Sequence, residues 1–255
     1  MHEPTASENL AKTTQKVDVL WNAFEWTVST RRAVRLFTPE AVPEKVIQQS
    51  LDAALLAPSA SNLQSWDFYW VRSEDKRQML RRYCMDQPSS NTAPEFIVCV
   101  ARYGVWKRRR DWFLKFYADA GITLPKPFDI YYQKLVPLMY VIGPFGLAGL
   151  LKRMLFGVVR LFRPFSTTPY NKSDLILSAV KNTALACQNL MLAIRAQGYD
   201  SCPLDGFDPG RTSRLLKLPS DSKIVMVLAI GKRAPEDVTF GPQVRCDRSE
   251  MVHEI

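Results

Sequence analysis

Two short stretches leave this chain little choice of architecture. Phe96-Ile97-Val98-Cys99-Val100-Ala101 and Ile224-Val225-Met226-Val227-Leu228-Ala229-Ile230 carry no charged or hydroxyl side chain. A strand of that composition has no face to offer to water, so it must be covered on both sides. Trp66 to Val71 reads as a third strand, aromatic and alternating. Helical patterns separate them. Val19 to Val28 is apolar at helical spacing, with Leu20, Phe24 and Val28 in register beside Ala23 and Thr27. Val46, Ile47, Ser50, Leu51, Ala54 and Leu55 trace the face of a second helix, entered after Pro43 and stopped near Pro58. A long helix is expected from Asp174 to a stop at Gly198, with Val180, Ala184, Cys187, Met191 and Ile194 on its buried stripe. Asp208-Pro209 reads as a cap and first position of a short helix through Leu216. Strands and helices mix without the regular alternation of a doubly wound sheet, and no GxGxxG follows a strand, so a Rossmann domain is not supported. The pattern calls for an α+β fold, a sheet flanked by helices.

At 255 residues the chain suits one domain from about residue 18 to 255. Residues 1–17 read as a flexible polar tail with no signal-peptide core, which points to a cytoplasmic protein. Residues 234–255 read as an extended arm, too polar for a core element. Five scattered cysteines without a CxxC pair read as reduced thiols. The only histidines, His2 and His253, lie near the termini, which argues against Ser-His-Asp or Cys-His catalysis and against a histidine metal site. Catalysis by such a chain falls to a bound cofactor.

Candidate binding residues cluster in three places. Arg31, Arg32 and Arg35 put three guanidinium groups within five positions, a pattern that matches phosphate oxygens and equally suits a solvated basic helix end. Ala57-Pro58-Ser59-Ala60-Ser61-Asn62-Leu63-Gln64-Ser65-Trp66 lies between a helix and a strand and is crowded with hydroxyl and amide groups able to bond a planar heterocycle. A Leu204-Asp205-Gly206 turn and Arg245 follow far downstream.

Taken with their order, Thr30 to Phe37, Ala57 to Trp66 and Gly198 to Asp208 resemble the FMN-dependent nitroreductase family over roughly residues 21–102 and 174–252. The resemblance implies a three-layer α/β/α fold with a mainly antiparallel central sheet, a helical insertion and a domain-intertwined homodimer. It implies one FMN at each subunit interface, reduced by NADH or NADPH in a ping-pong cycle. Carried over position by position, Arg31 and Arg32 would grip the FMN phosphate and Arg245 would join them. Arg35 would approach the pyrimidine edge of the flavin. Pro58, Ser59 and Ala60 would line the flavin held mainly by the other subunit, and Asn62 and Gln64 would bond the ring edge. The backbone at Leu204, Asp205 and Gly206 would face N5, where hydride arrives and leaves. Ala33 stands where the family often has serine, so one phosphate hydrogen bond is expected to be absent. Ser65 replaces a common proline, and Gln243 a lysine of some members.

The segment at about residues 104–170 departs from the family pattern. It holds eleven Lys/Arg against three Asp/Glu, which is +8 of the chain's net +9. Its run from Leu135 to Leu151 has seventeen residues and no charge, but two prolines and three glycines argue against a spanning helix. It reads as a lid over the flavin, or as a lid that also touches an anionic membrane on its inner face. It carries no nucleic-acid reading motif, so no nucleic-acid partner is expected. The function expected is reduction of a small hydrophobic aromatic acceptor, nitroaromatic or quinone, by NAD(P)H through FMN. Reductive dehalogenation, flavin fragmentation and oxygen-linked desaturation fit the same scaffold. A non-catalytic membrane-surface protein is the reading from a different class.

Overall fold

The computed structural model describes residues 6–166, 169–237 and 241–255, with side chains from Lys16 onward. Its elements run in the order α1 (Ala6–Thr30), α2 (Glu44–Leu55), β1 (Trp66–Trp70), α3 (Glu74–Tyr83), α4 (Pro88–Thr92), β2 (Glu95–Arg102), α5 (Trp106–Asp119), α6 (Lys126–Ile130), α7 (Val136–Tyr140), α8 (Leu147–Phe162), α9 (Lys172–Ala196), β3 (Asp200–Leu204), α10 (Pro209–Leu215), β4 (Ser222–Gly231) and α11 (Arg248–Met251). The four strands form one antiparallel sheet in the order β1-β2-β4-β3.

The doubly apolar runs become the two central strands, as their composition requires. Phe96, Val98 and Val100 point into one core with Leu80 of α3, Val227 and Ala229, against which Leu215 of α10 packs. Ile97 and Cys99 point into the other with Ile47 and Ala54 of α2 and Leu190 and Ile194 of α9. This is the three-layer α/β/α arrangement. The ladder slips between Cys99 and Val100, whose partners are Met226 and Ile224, so Val225 is the extra residue of a bulge. The bulge turns Ile224 to the same core as Val227.

Two boundaries differ from the sequence expectation. The first helix begins at Ala6, so residues 6–17 of the expected tail are helical. Ala, Glu, Leu, Lys and Gln favour propagation there, and no Gly or Pro interrupts it. Residues 1–5 lie outside the described ones. Within the single chain its apolar face stays uncovered, with Leu20, Trp21 and Phe24 each more than half exposed. The long helix begins at Lys172. Asn171 caps it by accepting from the Asp174 amide (3.0 Å), while Asp174 accepts from the Tyr170 amide (2.8 Å). It ends as expected before Gly198, whose φ of 82° only glycine adopts without strain. The C-terminal arm is exposed throughout residues 241–255 and holds only the single turn of α11.

The basic segment folds as a helical cap, α5 to α8. A π-helical turn, Tyr131–Leu135, joins α6 to α7. Pro137, two residues on, has no N–H to give to a regular ladder. The cap is anchored at its start. Arg102, at the end of β2, donates to Asp67 and to Asp221 (2.9 Å), and Arg109 of α5 reaches the same Asp67 (3.2 Å).

Candidate functional site

The chain leaves α1 in an extended stretch that pairs with the sheet's outer strand. Ala33 bridges Ser201 of β3 in parallel, and Phe37 bridges Arg233. This segment carries the arginines. Arg31, Arg32, Ala33 and Arg35 line a cavity of about 240 Å³, closed on its far side by Gln243, Val244 and Arg245 from the C-terminal arm. No carboxylate lines it. Among the described residues none of the four arginines makes a salt bridge.

The arm is tied down in a way that keeps those charges free. Arg32 donates to the Gly241 carbonyl (3.0 Å). In the amide orientation that satisfies both its neighbours, Gln243 donates to the Ser29 carbonyl (3.0 Å) and accepts from Arg245 (2.8 Å). Asp237 accepts from the backbone amides of Arg35 (2.9 Å) and Leu36 (3.0 Å), so this carboxylate fixes the strand and not a guanidinium. Arg35 turns along β3, its guanidinium 3.4 Å from Cys202 Sγ. Burial pushes the Cys202 thiol above the usual range, so it stays neutral beside the arginine.

Four cations converge on one cavity with no anion inside it. Like charges so placed repel one another unless a ligand of opposite sign joins them. Guanidinium forks match phosphate oxygens, and the donor set therefore fits a phosphomonoester such as that of FMN. Ala33 lines the cavity as a methyl group and supplies no hydrogen bond there.

Beyond Cys202 the strand delivers Leu204, buried, then Asp205 and Gly206, both exposed. Gln87 fixes this turn by donating to the Gly206 carbonyl (2.7 Å). Arg35 and the turn thus lie along one edge of the sheet.

Pro58, Ser59, Ala60, Asn62 and Gln64 sit elsewhere, in the loop between α2 and β1, and none lines the arginine cavity. This loop is held under strain. Ser61, Asn62 and Gln64 have φ of 54°, 49° and 45°, the left-handed region that L-residues adopt at a cost. What over-determines it comes mainly from other elements. Asn182 of α9 accepts from the Ala60 amide (3.1 Å), and Thr183 donates to the Ser65 carbonyl (3.2 Å). The Ser59 hydroxyl accepts from the Gln64 amide (3.0 Å). From the cap, the Tyr131 hydroxyl meets the Ser61 hydroxyl at 2.6 Å, and Tyr132 donates to the Ser61 carbonyl (3.2 Å). Gln64 also lines a groove of about 580 Å³ between α2 and the free edge of β1, with Leu55, Trp66 and Arg109.

Asn182 and Thr183 are site-shaping residues that the sequence pattern passes over. The N-terminal half of the buried stripe on α9 runs through Ala179, Asn182, Thr183 and Ala186, not through the expected Val180 and Ala184. Its polar members face the core because the loop backbone needs partners there. Their pattern in the sequence does not single them out, since the same helix carries a second adjacent polar pair, Gln188-Asn189.

Comparison with known proteins places the chain. The profile described as "Nitroreductase family" matches residues 28–232, and the chain belongs to that family. It is 29% identical over 207 residues to Protein DrgA of Synechocystis sp., covering 81% of this chain and 82% of that protein. It is 27% identical over 219 residues to a 4-nitrobenzoate reductase of Pseudomonas putida, covering 84% and 86%. A solved putative nitroreductase of Exiguobacterium sibiricum in complex with FMN superposes with a TM-score of 0.67 at 23% identity, over 91% of this chain and 97% of that one. Nitroreductases use FMN. The α+β architecture expected from the sequence is the fold of this solved structure.

Proposed function

We propose that the protein is an FMN-dependent oxidoreductase that takes reducing equivalents from NAD(P)H and passes them to a small hydrophobic aromatic acceptor, of nitroaromatic or quinone type. The observation that carries this is the four-arginine cavity, which contains cations and no counter-charge. Arg31, Arg32 and Arg245 hold the phosphate end of the cofactor. Arg35 lies further along the sheet edge and offers positive charge to the ring's pyrimidine side. The Leu204-Asp205-Gly206 backbone, steadied by Gln87, borders the ring. FMN, when bound, supplies hydride acceptance and release at its ring.

The loop residues Pro58, Ser59, Ala60, Asn62 and Gln64 belong to the same site through a second copy of the chain. Two features support this. In one chain the loop does not reach the arginine cavity, and the apolar face of α1 is uncovered. In the homodimer, Pro58 to Ala60 flank the ring bound by the other copy, while Asn62 and Gln64 bond its edge. The pre-formed left-handed backbone keeps those amides aimed without reorganisation on binding. The cap excludes water from the reacting face through its aromatic interior of Tyr132, Val136 and Tyr140 around Leu63. Burial raises the Tyr132 and Tyr140 phenols, so both remain hydrogen-bond donors at neutral pH. No side-chain acid is needed, since protons come from solvent or a pocket hydroxyl.

Purified protein tests the reading directly. A yellow preparation with flavin absorbance, bleached by NADPH or NADH without oxygen and restored by a quinone or nitroaromatic, is the expected result. Colourless protein that takes up no added FMN defeats it.

A further inference from the structure

Helix α8 is built inside out. Its residues that face the rest of the protein are Gly149, Lys152 and Phe156. The lysine is the buried one, donating to the Met139 carbonyl (2.7 Å) and the Pro169 carbonyl (3.0 Å). Gly149 lets the helix approach Tyr170 so closely that a Cβ would fall 1.7 Å from its carbonyl oxygen. Phe156 packs on Phe165, ring centroids 4.4 Å apart. Three different contacts therefore fix which way the helix faces.

The face that remains carries Leu147, Leu150, Leu151, Met154, Leu155 and Val158, continued by Leu161 and Phe162, and every one is between 58% and 84% exposed. At about 100° per residue these positions fill one unbroken arc of roughly 140°. Arg153 and Arg160 lie about 60° and 80° beyond one edge of that arc, past Gly157, and Arg163 follows the last turn. Helices at a protein–water surface show the reverse pattern, with the apolar stripe inward. The helix preceding it, α6 through α7, meets α8 at a bend of 83°. Phe145, at the tip of that bend, is fully exposed in a left-handed turn.

We infer that α8 and the Phe145 tip dock the protein in the plane of an anionic lipid bilayer. Sixteen residues make a helix of about 24 Å, short of the ~30 Å hydrocarbon core, so it lies in the interface and does not span it. The apolar arc sinks below the headgroups, while Arg153 and Arg160, on the flank between that arc and the protein-facing side, reach back to lipid phosphates with their long side chains. Charge selects the occupant. The segment of residues 104–170 carries eleven Lys/Arg and three Asp/Glu. A second copy seated on the same face would set cation against cation, because a two-fold interface brings identical patches together. An anionic bilayer meets both the apolar arc and the cations on the flank of the helix. A lipid-phase acceptor would then meet the cap directly, a consequence that rests on the function proposed above.

The test is flotation of the full-length flavoprotein with phosphatidylcholine vesicles and with vesicles containing phosphatidylglycerol. Binding is expected to the anionic vesicles at low salt. Leu151→Asp with Met154→Asp should cut it more than tenfold, and Arg153→Gln or Arg160→Gln about fivefold each. Flavin content and NAD(P)H-dependent bleaching should be unchanged, because none of these side chains lines the arginine cavity. Wild-type protein that stays at the bottom of the gradient with both vesicle types overturns the inference, whatever the bleaching shows. So does a double variant that floats like wild type. A double variant whose sedimentation shows loss of a dimer, with no vesicle binding by the wild type, assigns the face to a second copy and also overturns it.

Discussion

Two glycines of α8 give opposite expectations for the same substitution. A Cβ on Gly157 meets nothing within 4 Å, so Gly157→Ala adds helix propensity alone. The gain is about 1 kcal/mol. A Cβ on Gly149 would fall 1.7 Å from the Tyr170 carbonyl oxygen and 2.8 Å from its carbon, both backbone atoms that cannot rotate aside. Reaching even 3.0 Å requires the helix to retreat by at least 1.3 Å. That retreat strains two short bonds, from the Gly149 amide to Ile142 (3.0 Å) and from Lys152 to Met139 (2.7 Å). Overpacking costs ~1–3 kcal/mol, and loss of one charge-assisted bond ~1.5–3 kcal/mol. Set against the same ~1 kcal/mol propensity gain, Gly149→Ala should weaken the docking of α8 by about 1.5–5 kcal/mol. Because the cap can open locally, global unfolding is the wrong probe and amide exchange within α8 the right one. Exchange should slow about fivefold in Gly157→Ala and accelerate at least about tenfold in Gly149→Ala, taking about 1.4 kcal/mol per tenfold. If the two variants shift in the same direction, or Gly149→Ala exchanges like wild type, the close approach that orients α8 does not exist.

Replacing Arg31 or Arg35 by alanine should raise the Kd for FMN roughly 10- to 100-fold in fluorescence titration of the apoprotein, since each removes a charge-assisted contact of ~1.5–3 kcal/mol. Arg72→Ala, whose exposed partner is Glu44, should leave that Kd unchanged. Arg102→Met strips the shared cation from Asp67 and Asp221 and should lower stability by about 3 kcal/mol, roughly 6–12 °C in Tm, with little rescue from Arg109, which reaches only Asp67. Burial holds the Lys152 ammonium below its usual 10.5, so the folded chain gives up that proton at a lower pH than the unfolded chain does. In that window the unfolded chain binds more protons, and stability of the wild type should rise with pH relative to Lys152→Met on the alkaline side, just below the usual 10.5. A difference that falls over that range shows that the amine is not desolvated.

The layered fold was legible because its evidence is local. Phe96 to Ala101 and Ile224 to Ile230 can only be central strands, and Pro43, Pro58, Gly198 and Asp208-Pro209 punctuate the helices between them. Strand β3 was less so. Its residues, Asp-Ser-Cys-Pro-Leu, have no strand propensity, and they pair only because β4 offers an edge. The arginine cavity was half legible. Three arginines in five positions announce a cation cluster, but that Arg245 closes it depends on Gln243 and Asp237, which pin an arm more than 200 residues away. The C-terminal half of the α9 stripe, Cys187, Met191 and Ile194, is buried as expected, but its N-terminal half is displaced by one position from Val180 and Ala184, because Asn182 and Thr183 are buried to serve the loop.

The loop from Ala57 to Trp66 and the basic segment read as separate peculiarities in the sequence, yet they hold each other in place. Leu63 is buried among Tyr132, Val136 and Tyr140 of the cap. The π-helical turn sets Tyr131 and Tyr132 side by side, so that their hydroxyls reach the side chain and the carbonyl of Ser61. Three left-handed residues in four positions would relax if those partners withdrew. Any movement of the cap is therefore felt at Asn62 and Gln64. The inner face of the cap shapes the loop, while its outer face is the inverted stripe of α8. A contact on that stripe reaches the loop only through the bonds that join α8 to the end of α7, from Lys152 to Met139 and from Gly149 to Ile142.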